Sequence, residues 1–183
     1  MDQRHIGLLF QIDTNRINAR QNLEHMNRLE QWAANDVITL DMAEVAVSES
    51  MAGGNTQRAA KALDSIYSET LAFTAQERQI LATIEEILFP NGANDQNERH
   101  DVEIVFNAAK YCRILITADG GSRTQPEGIL GNARALKNAV GVEIMRDAEA
   151  VKRVESKIRA RDARYRKRFE LEGLPIPDWV GQD

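Results

Sequence analysis

At 183 residues, 43% of them hydrophobic, the chain is long enough to bury a core as one domain without disulfides or metal staples. Its single cysteine, Cys112, allows no internal disulfide, and no stretch approaches the roughly 20 apolar residues that span a bilayer, so a soluble, cytoplasmic protein with no membrane partner is expected. The net charge of −5 argues against coating nucleic acid by overall positive charge, and the N-terminal residues lack a signal-peptide pattern.

Taken in chain order, the apolar run over residues 6–12 predicts a buried strand that delivers Asp13, followed by Thr14 and Asn15, to its tip. Leu23, Met26, Leu29 and Trp32 recur at helical spacing, and Asn35 with Asp36 closes that helix. A second short strand is predicted over residues 37–40. Asp41 and Glu44 then read as a capping box for a helix to about Met51, which Gly53 and Gly54 end. Two helices are predicted over residues 56–71 and 74–89, the second capped by Thr74 and stopped at Pro90. Beyond a polar loop over residues 91–97, Asp101 opens a helical stretch whose face is Ile104, Val105, Ala108 and Tyr111. A third strand over residues 114–116 leads through Thr117 and Ala118 to Asp119. A loop over 120–128, a helix over 129–139 and a fourth strand over 142–145 follow.

The last segment predicts one long helix over residues 147–172, apolar along Val151, Val154, Ile158, Tyr165 and Phe169. Arg153, Lys157, Arg161, Arg164 and Arg168 line a neighbouring side. Residues 146–172 carry a net +4, leaving −9 on the rest of the chain. That helix and its tail, 147–183, are read as an appendage to a domain over 1–146.

Strands that alternate with helices predict an α/β fold with a mostly parallel sheet covered on both faces, a three-layer α/β/α domain. Ligands of such sheets bind outside the carboxyl ends of the strands. Right-handed crossovers would set Asp13, Glu44 and Asp119 along that edge, with neighbouring tips about 5 to 10 Å apart. Asp101 would join them from the stretch before the third strand. Clustered carboxylates with little His or Cys suit a hard cation, Mg²⁺ or Mn²⁺, which can polarise a phosphoryl oxygen and acidify a bound water.

These residues also resemble a family. Ile12-Asp13-Thr14-Asn15, residues 38–40 with Glu44 just inside a helix, Asp101 with Ile104, Ala108 and Ala109, and Thr117-Ala118-Asp119 are similar, in that order, to the segments of PIN-domain ribonucleases. The same fold is shared by the VapC toxins of toxin–antitoxin pairs. The resemblance implies a metal-dependent endonuclease, usually on RNA, with Asp13, Glu44, Asp101 and Asp119 as its acid quartet, Asn15 and Thr117 as supporting polar groups and an antitoxin as candidate partner; a homo-oligomer is expected besides, with the apolar stripe of the last helix packing on the domain or on a second subunit.

Each acid has a plainer reading. Asp13 could end a strand and cap the next helix, Glu44 could serve only the capping box with Asp41 or Glu49 in its place, Asp101 could be a helix cap with Glu98 in reserve, and Asp119-Gly120 could be a turn. Cys112 reads as a small buried hydrophobe. The basic side of the last helix reads as a solvated face laced by Glu149–Arg153, Glu155–Arg159 and Asp162–Arg166 pairs. A PIN-like module that binds RNA or protein without cutting is the alternative, and splayed acids would favour it. Against a regulatory flavodoxin-like domain phosphorylated on an aspartate, this sequence lacks an acid pair at the first strand and a lysine after a later strand.

Overall fold

The computed structural model describes residues 4–52, 54–65, 67–121 and 126–183. Strand β1 (Leu9–Ile12) lies at the centre, and helix α1 (Glu24–Ala34) leads to β2 (Thr39–Ala43). Helices α2 (Glu44–Ala52) and α3 (Thr56–Leu63) lead to a short β3 (Tyr67–Ser68). Then come α4 (Ala75–Leu88), α5 (Gln96–Asn107), β4 (Ile114–Ile116), α6 (Gly128–Gly131), α7 (Ala133–Val140), β5 (Glu143–Met145) and α8 (Asp147–Glu172). The five strands form one parallel sheet in the order β3-β2-β1-β4-β5. The protein is thus an α/β domain with helices flanking a parallel sheet and a long C-terminal helix.

The central strand is buried because helices cover the sheet: Phe10 and Ile12 line one face, while Gln11 on the other is accommodated by donating to the Ile104 carbonyl at 2.7 Å, and Phe10, Phe106, Met26, Leu29, Met42 and Leu115 are all fully buried. Each contributes roughly 1.5–3 kcal/mol by leaving water. Val151, Val154 and Ile158 enter the same core from α8, which packs along α1. The expected apolar stripe therefore has its partner within the chain. Among the described residues no helix is long and apolar enough to cross a membrane.

Four local expectations need correction. The helix expected over 56–71 ends at Leu63, where Asp64 and Ser65 turn the chain and the Ser65 hydroxyl donates to the Lys61 carbonyl at 3.0 Å. The chain then pairs as β3 with Met42 and Ala43, and such ladder pairing overrides helical periodicity. For the same reason Asp41 caps nothing: β2 runs through it, and its carboxylate accepts from the Ser68 hydroxyl at 2.6 Å and the Met42 amide at 2.8 Å. Asp101 does not open its helix. Asp95 caps α5, accepting from the Glu98 amide at 2.9 Å, while Glu98 reaches back to the Asn94 amide at 2.7 Å, so Asp101 projects from within α5. The helix expected over 129–139 is divided at Asn132 into α6 and α7.

Candidate functional site

Because β1 and β4 are parallel neighbours, the chain leaves both at the same edge of the sheet. The Asp13 amide still donates to the Ile116 carbonyl at 3.0 Å, which brings Asp13 beside Thr117. The Thr117 hydroxyl donates to Asp13 Oδ2 at 2.5 Å, and the Asn15 amide nitrogen donates to the same oxygen at 2.6 Å. Asn15 Oδ1 in turn accepts from the Ala118 amide at 3.0 Å. Asn15 and Thr117 therefore lock the tips of the two strands together and fix the Asp13 rotamer.

Asp119 is held by backbone. Its Oδ2 accepts from the Ile129 amide at 2.7 Å and its Oδ1 from the Gly121 amide at 3.2 Å, while the Leu130 amide donates to its carbonyl at 3.0 Å. This clamp requires Gly128, which adopts φ +58° and lies so close that a Cβ there would stand 2.7 Å from Asp119 Oδ2 and collide with the Gly121 amide. Gly128 escapes notice in the sequence because it looks like the end of an ordinary loop. Gly128→Ala is expected to destabilise the fold by about 1–3 kcal/mol, from left-handed strain plus the clash. A urea titration checks this, and unchanged stability would mean that the clamp is not built this way.

The electrostatics tie distant parts of the chain together. Asp13, 4% exposed, is pushed up to about 6, by burial above all and by the Glu49 and Asp119 charges, against the Thr117 hydrogen bond that lowers it. Asp101 is pushed up to about 8, again first by burial, then by the like charges of Asp13, Asp119, Glu49 and Asp95. Asp13, Asp101, Asp119 and Glu49 thus form one mutually repelling group at the carboxyl edge. Glu44 is exposed and lines a different depression of about 330 Å³ with Gln96, His100 and Glu103. It is Glu49, considered in the sequence only as a substitute, that α2 contributes to the group.

Among the described residues no three His, Cys, Asp or Glu side chains are drawn together tightly enough to hold a metal ion as they stand. The donor chemistry nonetheless suits a hard divalent cation, since the clustered groups are all carboxylates and Asn15 and Thr117 offer further oxygens. Cys112 is buried elsewhere, beside Asp41, and its thiol is pushed far up by that burial and that charge.

No family model matches the chain, and no curated protein matches it. Among solved structures, the VapBC2 assembly of Rickettsia felis bound to a DNA fragment from its promoter is similar at 16% identity and a TM-score of 0.48, over 76% of this chain and 98% of that one. At that score the likeness decides neither fold nor function, which rest on the geometry above.

Proposed function

We propose that the protein is a PIN-like, Mg²⁺- or Mn²⁺-dependent endoribonuclease. The observation that supports this best is the crowding of Asp13 and Asp101 with Asp119 and Glu49 at the carboxyl edge of a parallel sheet, where burial and like charge push the first two far above the usual carboxylate range. Asp13 and Asp119 would hold the metal most directly. Asp101 and an acid of α2 would complete the group and orient the attacking water; Glu49 suits that place better than Glu44, which is exposed. Bound there, Mg²⁺ or Mn²⁺ would shield the phosphodiester charge and acidify a water. Asn15 and Thr117 position Asp13 through the bonds described.

The toxin setting, with an antitoxin partner and self-association, belongs to the same reading. Exposed Met51, Leu63, Tyr67, Leu71 and Phe73, on and after the elements at the β3 edge, would suit a protein partner.

The alternative reading, a module that binds RNA or protein without cutting, is favoured by the absence of a tight three-acid group among the described residues. Incubation of a single-stranded RNA with the protein and Mn²⁺, with and without excess chelator, separates the two. Cleavage that the chelator abolishes supports the nuclease, and RNA that is bound but stays intact at millimolar Mn²⁺ supports the module. Calorimetry in buffers of different ionisation enthalpy adds a second check. Metal binding near pH 7 is expected to release a proton, chiefly from Asp101, and binding without release would remove these acids from the site.

A further inference from the structure

Next to the acids lies a groove of about 350 Å³ of opposite character, lined by Arg20, Arg58, Asn15, Asn22 and Asn55, with no carboxylate among its lining residues. Arg58 donates from Nη2 to the Thr14 carbonyl, which holds the guanidinium beside the turn that carries Asn15, and among the described residues its other guanidinium N–H groups meet no acceptor. Arg20 is exposed and pairs with no acid among the described residues. Most other cations near this edge are neutralised: Arg16 pairs with Asp147 at 3.2 Å and Lys61 with Glu30 at 2.6 Å. Asn15 is shared, touching Asp13 on one side and lining the groove on the other.

A group of four acids repels a polyanion, so a substrate with phosphates needs compensating charge close by. Two guanidiniums with the side-chain amides of Asn22 and Asn55 offer bidentate and single hydrogen bonds suited to phosphodiester oxygens, while Asn15 keeps its N–H groups on Asp13 and Thr117. A volume of about 350 Å³ has room for one backbone step of a strand.

We propose that Arg20 and Arg58 hold a phosphodiester of a single-stranded polynucleotide in this groove, one step along the strand from the bond placed at the acids. The inference rests on the nuclease reading for that last clause, while the groove itself is tested without cleavage. A fluorescent single-stranded oligoribonucleotide and the oligodeoxyribonucleotide of the same sequence are titrated in chelator at several salt concentrations against wild type, Arg20→Gln, Arg58→Gln and, as a charge-matched control, Arg159→Gln on exposed surface of α8.

Loss of each groove arginine is expected to weaken binding about 5-fold and to lower the salt slope by about 0.7, with the control unchanged. The two oligonucleotides show whether the groove reads the sugar; an arginine-dependent slope with either supports the proposal. Wild type that binds neither strand overturns it, as do slopes equal to wild type or a control that loses as much. Should Arg58→Gln fail to fold, Arg20→Gln alone decides, because its exposed side chain has no hydrogen-bond or ion-pair partner among the described residues. A protein that binds through these arginines yet cuts nothing with Mn²⁺ loses the nuclease reading and keeps the groove; one that cuts with unchanged slopes does the reverse.

Discussion

Asp13→Asn and Asp101→Asn are each expected to lower Mn²⁺-dependent RNA cleavage by about 100-fold or more while making the metal-free protein more stable at pH 8. Both effects share one cause. In the folded chain Asp101 is pushed to about 8 and Asp13 to about 6, from ordinary values near 3.8, so the native state keeps protons that the unfolded chain gives up. Stability from this source is fully present below about pH 4 and is lost as pH rises through about 6 and then about 8. Measured in chelator, wild type should lose on the order of 2 kcal/mol between pH 5 and pH 8, discounted for the coupling of the two groups. Asn at either position removes a charge that repels its neighbours, so the decline should flatten. Asp101→Asn should flatten it more, because Asp101 is the more strongly shifted. Asp13→Asn keeps an oxygen for the Thr117 hydroxyl, so loss of cleavage by unfolding is not expected. Cleavage equal to wild type at saturating Mn²⁺, or a pH profile that Asn leaves unchanged, would remove these acids from the proposed chemistry.

Much of this site was legible in the sequence, for a reason that the strands make plain. The runs ending at Asp13 and Asp119 are short, mostly apolar and buried, so pattern alone placed their acids at the carboxyl edge, whereas Asn15 and Thr117 were singled out only through the family resemblance. Asp101 was singled out as the first residue of its helix, but the helix starts earlier because Asp95 and Glu98 form a cap that outcompetes it, and Asp101 meets the other acids from within α5. The acid from α2 was harder. Asp41 and Glu44 carry the spacing of a capping box, and only pairing of β2 with β1 out to Met42 shows that Asp41 belongs to the strand. Once α2 starts at Glu44, that residue is exposed and Glu49 acts on the acids instead. The short β3 was invisible because two residues carry no period, and Gly128 because its role depends on a backbone angle and on Asp119, nine positions earlier. The rule that won in each case was a long-range contact over a local preference.

Arg161→Ala is expected to cost about 3–5 kcal/mol, the largest loss of stability from any single change on α8, because it strands buried charge. The Arg161 side chain is 3% exposed, and the Asp183 side chain that it meets at 2.7 Å is wholly buried. The same guanidinium reaches Asp162 at 2.8 Å, donates to the Arg4 carbonyl at 2.5 Å and lies 4.7 Å from the centre of the Trp179 ring. Arg4 closes the clasp on Asp183 at 2.5 Å, and the Gly181 amide donates to Asp162 at 2.9 Å. Trp179 packs edge-on against Tyr165 at 5.1 Å, so Arg161 anchors the C-terminal tail and the N-terminal segment, while Lys157, Arg164 and Arg168 of the same basic side are exposed as a solvated face would have them. Burial alone would raise the Asp183 carboxyl, but hydrogen bonds from Arg4 and Arg161 outweigh it and hold it below the usual range. Its contribution is therefore present above about pH 4 and lost as pH falls further, the opposite direction to the acid group at the sheet edge. The two can be read separately in one molecule. In chelator, Arg161→Ala should shift the urea midpoint at every pH above about 4 and leave the decline between pH 5 and pH 8 in place, whereas Asp101→Asn should do the reverse. Arg161 and Asp101 share no hydrogen-bond or ion-pair partner among the described residues, so the double variant should show the sum of the two effects. A loss under about 1 kcal/mol for Arg161→Ala would mean that the clasp does not hold α8 to the N-terminal segment.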